Sequence, residues 1–591
     1  MNEIELLIVG AGLHGLLMAK TYLEVSPHAT LLIIDRAQSV GGSWAAERLY
    51  PGLKTNNVVG SYEFSDFPMI PERYGLKPGD HIPGRVAHQY FHDFAERFDL
   101  YRRIAFGTTV DSMELQNDGR WKIAIDTDAE LGASHRSTKI CFAHKVVLAT
   151  GLTSEPYLPS FSGQSEFLGT ILHAKQLKAQ TQALENSTRT AVIGGNKSAW
   201  DACYQAAHSG AHVDMIIRPS GGGPSFVWPV SFNFLGLQTS LSRLTATRFC
   251  TCFDPSPLGA VGPLSSLQRF LHHTPIGQTL LSYFWTELNN LIRRLNGYND
   301  HPELKKLEPW ITPFWLGNSL SIHNYESNWF NLVRDGKVHI HIADVTFLSK
   351  SRVHLSNGTT LDADTIVCCT GWNAQPSVRF EPADVAVDLC FRGGSTRTDC
   401  TTGMDFTESI YFQHPSLQIF PRREPNAPPV ESQHLEHKID RTSFDLYKLS
   451  VPWQPTFMKL KNLAFIGAHA SIHTTMVAQA QCLWVTAFFH GCVAHLNPEN
   501  IDLEAVRHEA AFYSTYGQLR RPGTSGGSGG KYPDLVFDSL PFIDTLLSDL
   551  GLETQRKKSF MGEIFEPYQL KDYRGLVQQW TSLHFASPKN D

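Results

Sequence analysis

Ile4-Glu5-Leu6-Leu7-Ile8-Val9, running directly into Gly10-Ala11-Gly12-Leu13-His14-Gly15, is the stretch on which the fold turns. A short apolar run bounded by glycine reads as a strand buried on both faces, as in a parallel sheet. The apolar segment from Leu16 to Leu23 predicts a helix behind it, and Ala29 to Ile34 predicts a second strand closed by Asp35. Strand, glycine turn, helix, strand and a terminal carboxylate 20 residues beyond Gly15 are the parts of a dinucleotide-binding unit. In such a unit Gly10 makes the tight turn and Gly12 lets the backbone approach a pyrophosphate. Gly15 lets helix and strand pack closely, and the helix N-terminus favours phosphate charge.

The pattern recurs near Arg189. Thr190 to Ile193 predicts a strand, followed by Gly194-Gly195-Asn196-Lys197-Ser198-Ala199, a helix to about Ser209, and a strand from His212 to Ile217 ending at Arg218. Asn196 replaces the middle glycine and Ala199 the third. Ala is tolerated at the third position, whereas an asparagine side chain crowds a pyrophosphate unless it hydrogen-bonds to it. A carboxylate suits a free ribose diol and an arginine suits a 2′-phosphate, so the first unit is expected to take FAD and the second NADPH. The plain alternative for Arg218 is a solvated loop charge. Lys197 and Ser198, in the first turn of the second helix, are candidate phosphate contacts or ordinary surface residues.

Further along, Lys145 to Thr150-Gly151 and Thr365 to Thr370-Gly371 are apolar strands ending in Thr-Gly, and Leu463 to Gly467 is a third ending in glycine. Backbone at such strand ends borders the ligand crevice of a doubly wound sheet. The expected fold is therefore α/β, with two Rossmann-like dinucleotide-binding domains, a helical insert and a C-terminal extension. The boundaries expected are 1–165 for the first part of the FAD domain and 166–340 for the NADP domain, with an insert at about 219–330. The second part of the FAD domain follows at 341–490, and the extension at 491–591. The insert opens at Pro219, carries the uncharged aromatic stretch Phe226 to Leu241, and predicts helices around 265–272 and 276–295. The extension contains a Gly/Ser run from Gly523 to Gly530 that is expected to be flexible.

The rest of the composition narrows the function. The 591 residues carry 51 Lys and Arg against 57 Asp and Glu, a net charge of −6, which offers no electrostatic footprint for nucleic acid. Ten cysteines in a chain of this length, without CxxC or zinc spacing, predict reduced thiols rather than a disulfide framework. The pairs His88/His92, His208/His212 and His469/His473 lack the glutamate of HExxH, so no metal is expected. Residues 462–498 contain no Asp, Glu, Lys or Arg, but several histidines and glutamines favour a strand followed by a buried helix over a membrane span. With no signal-peptide pattern at its start, the chain is expected to be cytoplasmic.

These residues together resemble the flavin-containing monooxygenases of class B, a group that includes Baeyer–Villiger and N-hydroxylating enzymes. The matching pieces are Gly10 to Gly15, Gly41-Gly42-Ser43-Trp44, Leu53-Lys54-Thr55-Asn56, Phe64-Ser65-Asp66-Phe67-Pro68, and Phe167 to His173 in the FxGxxxH pattern. The two Thr-Gly strand ends and Leu463 to Gly467 complete the set. The resemblance covers roughly 1–220 and 340–490 and is best to fungal FAD-dependent oxidoreductases, whose second motif also reads Gly-Gly-x-Lys-Ser. Ala174-Lys175-Gln176-Leu177 departs from the Trp-Pro that Baeyer–Villiger enzymes carry after the histidine.

The resemblance implies a chemistry and a set of residues. NADPH delivers hydride to FAD, reduced flavin reacts with O2 to give a C4a-(hydro)peroxyflavin, and one oxygen atom passes to a small organic substrate, here expected to belong to secondary metabolism. Asn56 is the implied catalytic residue, beside the reactive face of the flavin, with a turn asparagine as the plain reading. Trp44 is expected over the flavin or in the core, and His173 as a hydrogen-bonding linker residue. The expected cofactor contacts are Gly10, Gly12, Gly15, Asp35, Gly42, Trp44, Asn56, Thr150, Gly151, Gly194, Asn196, Lys197, Ser198, Arg218, Thr370, Gly371 and Gly467. Baeyer–Villiger or N-hydroxylating activity, an FAD oxidoreductase without oxygenation, and a non-catalytic nucleotide-binding protein are the alternatives. The absence of CxxxxC after the first glycine motif argues against a disulfide reductase.

Overall fold

The computed structural model describes residues 3–127, 137–234, 236–258, 264–317, 320–373, 377–382, 385, 389, 406–429, 445–521 and 532–585. The expected Gly523–Gly530 run lies outside the described residues. Ile4–Val9 is the central parallel strand of an eight-stranded sheet, flanked by Leu31–Ile34 on one side and the long strand Ser137–Leu148 on the other. Leu6, Leu7 and Ile8 are fully buried, which is why the run lacks the alternation of a half-exposed strand. The first half of Ser137–Leu148 pairs antiparallel with Trp121–Thr127, and its second half pairs parallel with Leu463–Phe465. The outer strands are Thr108–Leu115 and Arg379–Glu381.

A second sheet of five parallel strands runs in the order Val338–Ile342, His212–Ile217, Arg189–Ile193, Thr365–Cys368, Thr170–His173. This corrects the expected boundary at 340. Thr365–Cys368 pairs with Arg189–Ile193, so the second unit continues to Cys368, and the chain re-enters the first sheet only with Arg379–Glu381. The pairing is parallel and long-range, which local sequence does not encode.

The charge-free stretch forms the strand Leu463–Phe465 and the helix Thr474–Phe489, whose residues from Thr475 to Phe489 are all buried. Among the described residues no helix is long and apolar enough to cross a membrane. In the insert, helices span Ser265–His273 and Pro275–Asn296, and the aromatic stretch forms short strands. Phe226, Trp228, Phe284, Trp285, Phe314 and Phe537 share one apolar cluster, which joins the insert to the C-terminal extension. The extension also packs on the first sheet's helices, with Leu546 and Trp580 in the same cluster as Leu16 and Val477.

Candidate functional site

The two glycine loops are built alike. Gly10 (φ 115°) and Gly194 (φ 142°) both take backbone that an L side chain rarely adopts. A Cβ on Gly10 would overlap the Ala149 carbonyl oxygen, and one on Gly194 would meet the Cys369 carbonyl oxygen. Ala149 and Cys369 immediately precede Thr150-Gly151 and Thr370-Gly371. Each Thr-Gly strand end therefore lies against the first glycine of its own loop. Gly151 and Gly371 also have positive φ, and around both there is open space.

The middle positions have almost the same backbone, with φ −82° and ψ −171° at Gly12 and φ −93° and ψ 179° at Asn196. That extended conformation suits any residue, so backbone strain does not require glycine at position 12. At the third position a Cβ on Gly15 would overlap the Gly10 carbonyl oxygen, whereas Ala199 is accommodated fully buried. The helix Leu13–Val25 thus approaches its strand more closely than Lys197–His208 approaches its own.

Around the first loop, Asp35 accepts hydrogen bonds from the Ala11 N–H at 2.6 Å and the Ala37 N–H at 2.8 Å. Gly41 and Gly42 both have positive φ; the Gly41 N–H donates to the Ala11 carbonyl at 3.0 Å, and the Gly42 backbone lies against Gly12. Trp44 is half-buried, and its Nε1–H donates to the Tyr62 hydroxyl at 2.8 Å. Asn56 is exposed on the strand Lys54–Val58 between the buried Thr55 and Asn57, whose Nδ2–H donates to the Ile472 carbonyl at 3.0 Å. Gly467 (φ 68°) packs on the His14 ring, and its N–H donates to Gln481 Oε1 at 3.1 Å. The His14 Nε2 and both ring nitrogens of His469 are buried without a hydrogen-bond partner. Burial pushes His14 down to about 4, and burial together with His14 pushes His469 down to about 3, so both rings are neutral.

The second loop is held differently. Lys197 is ion-paired with Asp201 and lies 4.5 Å from the Tyr325 ring centre. Asp201 also accepts the hydroxyls of Tyr50 and Tyr325, each at 2.8 Å. Tyr50 belongs to the first unit, so this carboxylate ties the two units together. Asn196 and Arg218 are exposed and Ser198 is half-buried. His173 ends its strand with Nε2–H donating to the Gly371 carbonyl at 3.0 Å, while its Nδ1 accepts from the Lys175 N–H at 3.1 Å. Beside it, burial, Arg36 and Arg48 push Lys175 down to about 8. The Arg48 guanidinium lies 5.4 Å from the Trp372 ring centre.

The expected residues thus fall into two groups. Gly10, Gly12, Gly15, Asp35, Gly42, Trp44, Thr150, Gly151 and Gly467 surround the first loop or its neighbouring strands, whereas Asn56 stands on Lys54–Val58, which pairs with His81–Pro83 in a separate small sheet. Gly194, Asn196, Lys197, Ser198, Arg218, Thr370 and Gly371 belong to the second unit. Sequence reasoning missed Asp201, Tyr50, His14 and His469. The four-residue spacing of Lys197 and Asp201 on one helix was the available signal for the first of these.

A family model described as "Flavin-binding monooxygenase-like" matches residues 4–229. An FAD-dependent monooxygenase of Aspergillus nomiae is 33% identical over 98% of this chain and 98% of its own length. The chain belongs to the flavin-binding monooxygenase family. It is also similar to an FAD-dependent monooxygenase of Pyrenophora dematioidea, at 34% identity over 95% of this chain and 100% of that protein. Among solved structures, the polycyclic ketone monooxygenase of Thermothelomyces thermophila aligns with a TM-score of 0.58 at 15% identity, over 93% of this chain and 88% of the other. An open form of cyclohexanone monooxygenase aligns with a TM-score of 0.55 at 16% identity, over 90% and 96%. These two share the fold of this flavin-dependent monooxygenase.

The glycine cradle fits the family's cofactor. The first loop keeps side chains away from the helix N-terminus at Gly12, offers backbone N–H groups there, and ends its second strand in a carboxylate.

Proposed function

We propose that the enzyme holds FAD on the first loop and NADPH on the second, and uses O2 to place one oxygen atom in a small organic molecule of secondary metabolism. The observation that carries this reading is the pair of like-built glycine loops, in two units tied together through Asp201 and Tyr50. Gly10, Gly12, Gly15 and Gly42 would cradle the FAD pyrophosphate and Asp35 the adenosine ribose. Thr150, Gly151 and Gly467 would border the same cofactor. Lys197, Ser198 and Arg218 would take the phosphates of NADPH, with Gly194, Asn196, Thr370 and Gly371 supplying the adjoining backbone. Bound FAD supplies the redox chemistry that activates oxygen.

Asn56 is exposed while Thr55 is buried and Asn57 is hydrogen-bonded to Ile472, so its amide would be free to hydrogen-bond the reacting oxygen. Trp44, fixed by Tyr62, would wall the cofactor and exclude water. His173 keeps the Gly371 turn in place rather than moving protons, because its two nitrogens are already engaged with backbone. The cytosol is the compartment that this reading favours.

Purified protein releasing stoichiometric FAD on denaturation, and bleaching its flavin with NADPH under nitrogen, is the expected result. Product mass after incubation with ketone, amine and thioether panels under labelled O2 identifies the acceptor. Colourless protein, or NADPH consumption with hydrogen peroxide as the sole product for every substrate, would overturn the proposal.

A further inference from the structure

A cavity lies where the C-terminal extension meets the insert and the 448–449 turn, and none of its lining residues belongs to either glycine loop. Leu258, Leu449, Leu535 and Phe542 give it apolar walls, and Tyr516, Arg521 and Asp538 form a polar end. That end holds more hydrogen-bonding capacity than the protein satisfies. Arg521 is 1% exposed, Asp538 4% and Tyr516 5%, yet Arg521 Nε, Asp538 Oδ1 and the Tyr516 hydroxyl have no hydrogen-bond partner. Next to them, Asp254 accepts from Arg520 Nε at 3.1 Å through one oxygen and leaves Oδ2 without a partner. Buried polar groups are nearly always hydrogen-bonded, and leaving one unmet is costly. Four together mark a place where something else completes the bonding.

Ordered water alone would satisfy the polar end but gains nothing from walls of leucine and phenylalanine. A molecule with a hydrocarbon body and one hydroxyl serves both, because a hydroxyl donates to a carboxylate oxygen and accepts from a guanidinium N–H. Charge points the same way. Arg520 and Arg521 stand against Asp254 and Asp534, while burial and the neighbouring Asp254 push Asp538 up to about 8. With Asp538 protonated near neutral pH these groups balance, and Lys448, which also lines the cavity, is paired with Glu509 at 2.7 Å, so an ionic ligand would add unmatched charge.

We propose that this cavity is a binding site, separate from the two glycine loops, for a small uncharged alcohol or phenol. Its hydroxyl meets Tyr516, Arg521 and Asp538, and its hydrocarbon body lies on Leu449, Leu535 and Phe542. The wall is continuous with the segment that follows Gly467. The Leu535 N–H donates to the Ala470 carbonyl at 2.7 Å, the Ala470 N–H donates to the Pro533 carbonyl at 2.9 Å, and the Ser471 and Ser539 hydroxyls are 2.9 Å apart.

The test uses the flavin-loaded full chain with 4-fluorophenol as the probe, followed by fluorine NMR, and crystals soaked in phenol. Expected are saturable binding to one site and phenol density against Tyr516 and Asp538. Tyr516→Phe should weaken binding about tenfold, the loss of one hydrogen bond to a buried group. Leu535→Trp, which fills the cavity, should abolish binding. Circular dichroism and thermal unfolding check the fold of both variants, and the wild-type soak needs neither. Soaked crystals with only water in the cavity, or binding that neither substitution alters in folded protein, would overturn the proposal.

Discussion

A methyl group on Gly15 would overlap the Gly10 carbonyl oxygen, whereas one on Gly12 would meet only the Gly42 backbone, at an ordinary 3.5 Å and 3.8 Å. The two glycines therefore separate folding from cofactor binding. Gly12→Ala should leave the unfolding free energy within about 1 kcal/mol of wild type while flavin content falls at least tenfold, because the added carbon would occupy the space proposed for the pyrophosphate. Gly15→Ala should cost about 1–3 kcal/mol or more through overpacking and yield little folded protein. Denaturant titration beside flavin quantitation checks both. At the other loop, Arg218 is exposed at a strand end. Arg218→Ala should raise the dissociation constant for NADPH by about 10–100-fold and leave NADH almost unchanged, read by the rate of flavin reduction against each coenzyme. The glycines and Asp35 were legible because each obeys a local rule of spacing and backbone. His14 and His469 were not, since nothing in the chain between them says that Gly467 brings their rings within 6.1 Å.

Within the helix Lys197–His208, Asp201 holds three partners: Lys197, Tyr50 and Tyr325. Both tyrosines are half-buried, and desolvation with the nearby carboxylate holds their hydroxyls well above the usual tyrosine range, so they act only as donors here. Asp201→Ala leaves two half-buried hydroxyls and a lysine unmatched and should destabilise the protein by about 1–3 kcal/mol, measured by the shift in denaturant midpoint. Asp201→Asn keeps an acceptor and should cost less. Elements themselves were readable where period and length agree. The helix Lys197–His208 and the strand His212–Ile217 lie where the apolar spacing put them. The meander of Thr108–Leu115, Trp121–Thr127 and the first half of Ser137–Leu148 was not foreseen. Its strands are held by neighbours across a sheet edge, and their polar outward residues hide the pattern.

Over the whole molecule, buried ionisable groups set the pH at which the fold is most stable. Burial pushes His14, His272, His414 and His473 down to about 4 and His469 to about 3, from an ordinary 6.5. Between those values the unfolded chain binds protons that the folded one refuses, so stability falls as pH drops below 6.5. Asp538 works in the opposite sense. Held up to about 8 from 3.8, it keeps a proton in the fold that the unfolded chain releases, so its contribution is lost as pH rises through that window. Each group contributes a slope of at most about 1.4 kcal/mol per pH unit. Five histidines outweigh one aspartate on the acid side, and above 6.5 the aspartate acts alone among these six. The melting temperature should therefore climb steeply from pH 4.5 to about 6.5 and decline gently to pH 8. Asp538→Asn removes a titrating proton without changing shape, so it should flatten the alkaline decline and leave the acid limb steep. His469→Gln should instead shallow the acid limb by one proton's slope. Scanning calorimetry of the three proteins across this range separates the two effects, and an alkaline decline that persists in Asp538→Asn would place its origin in another group.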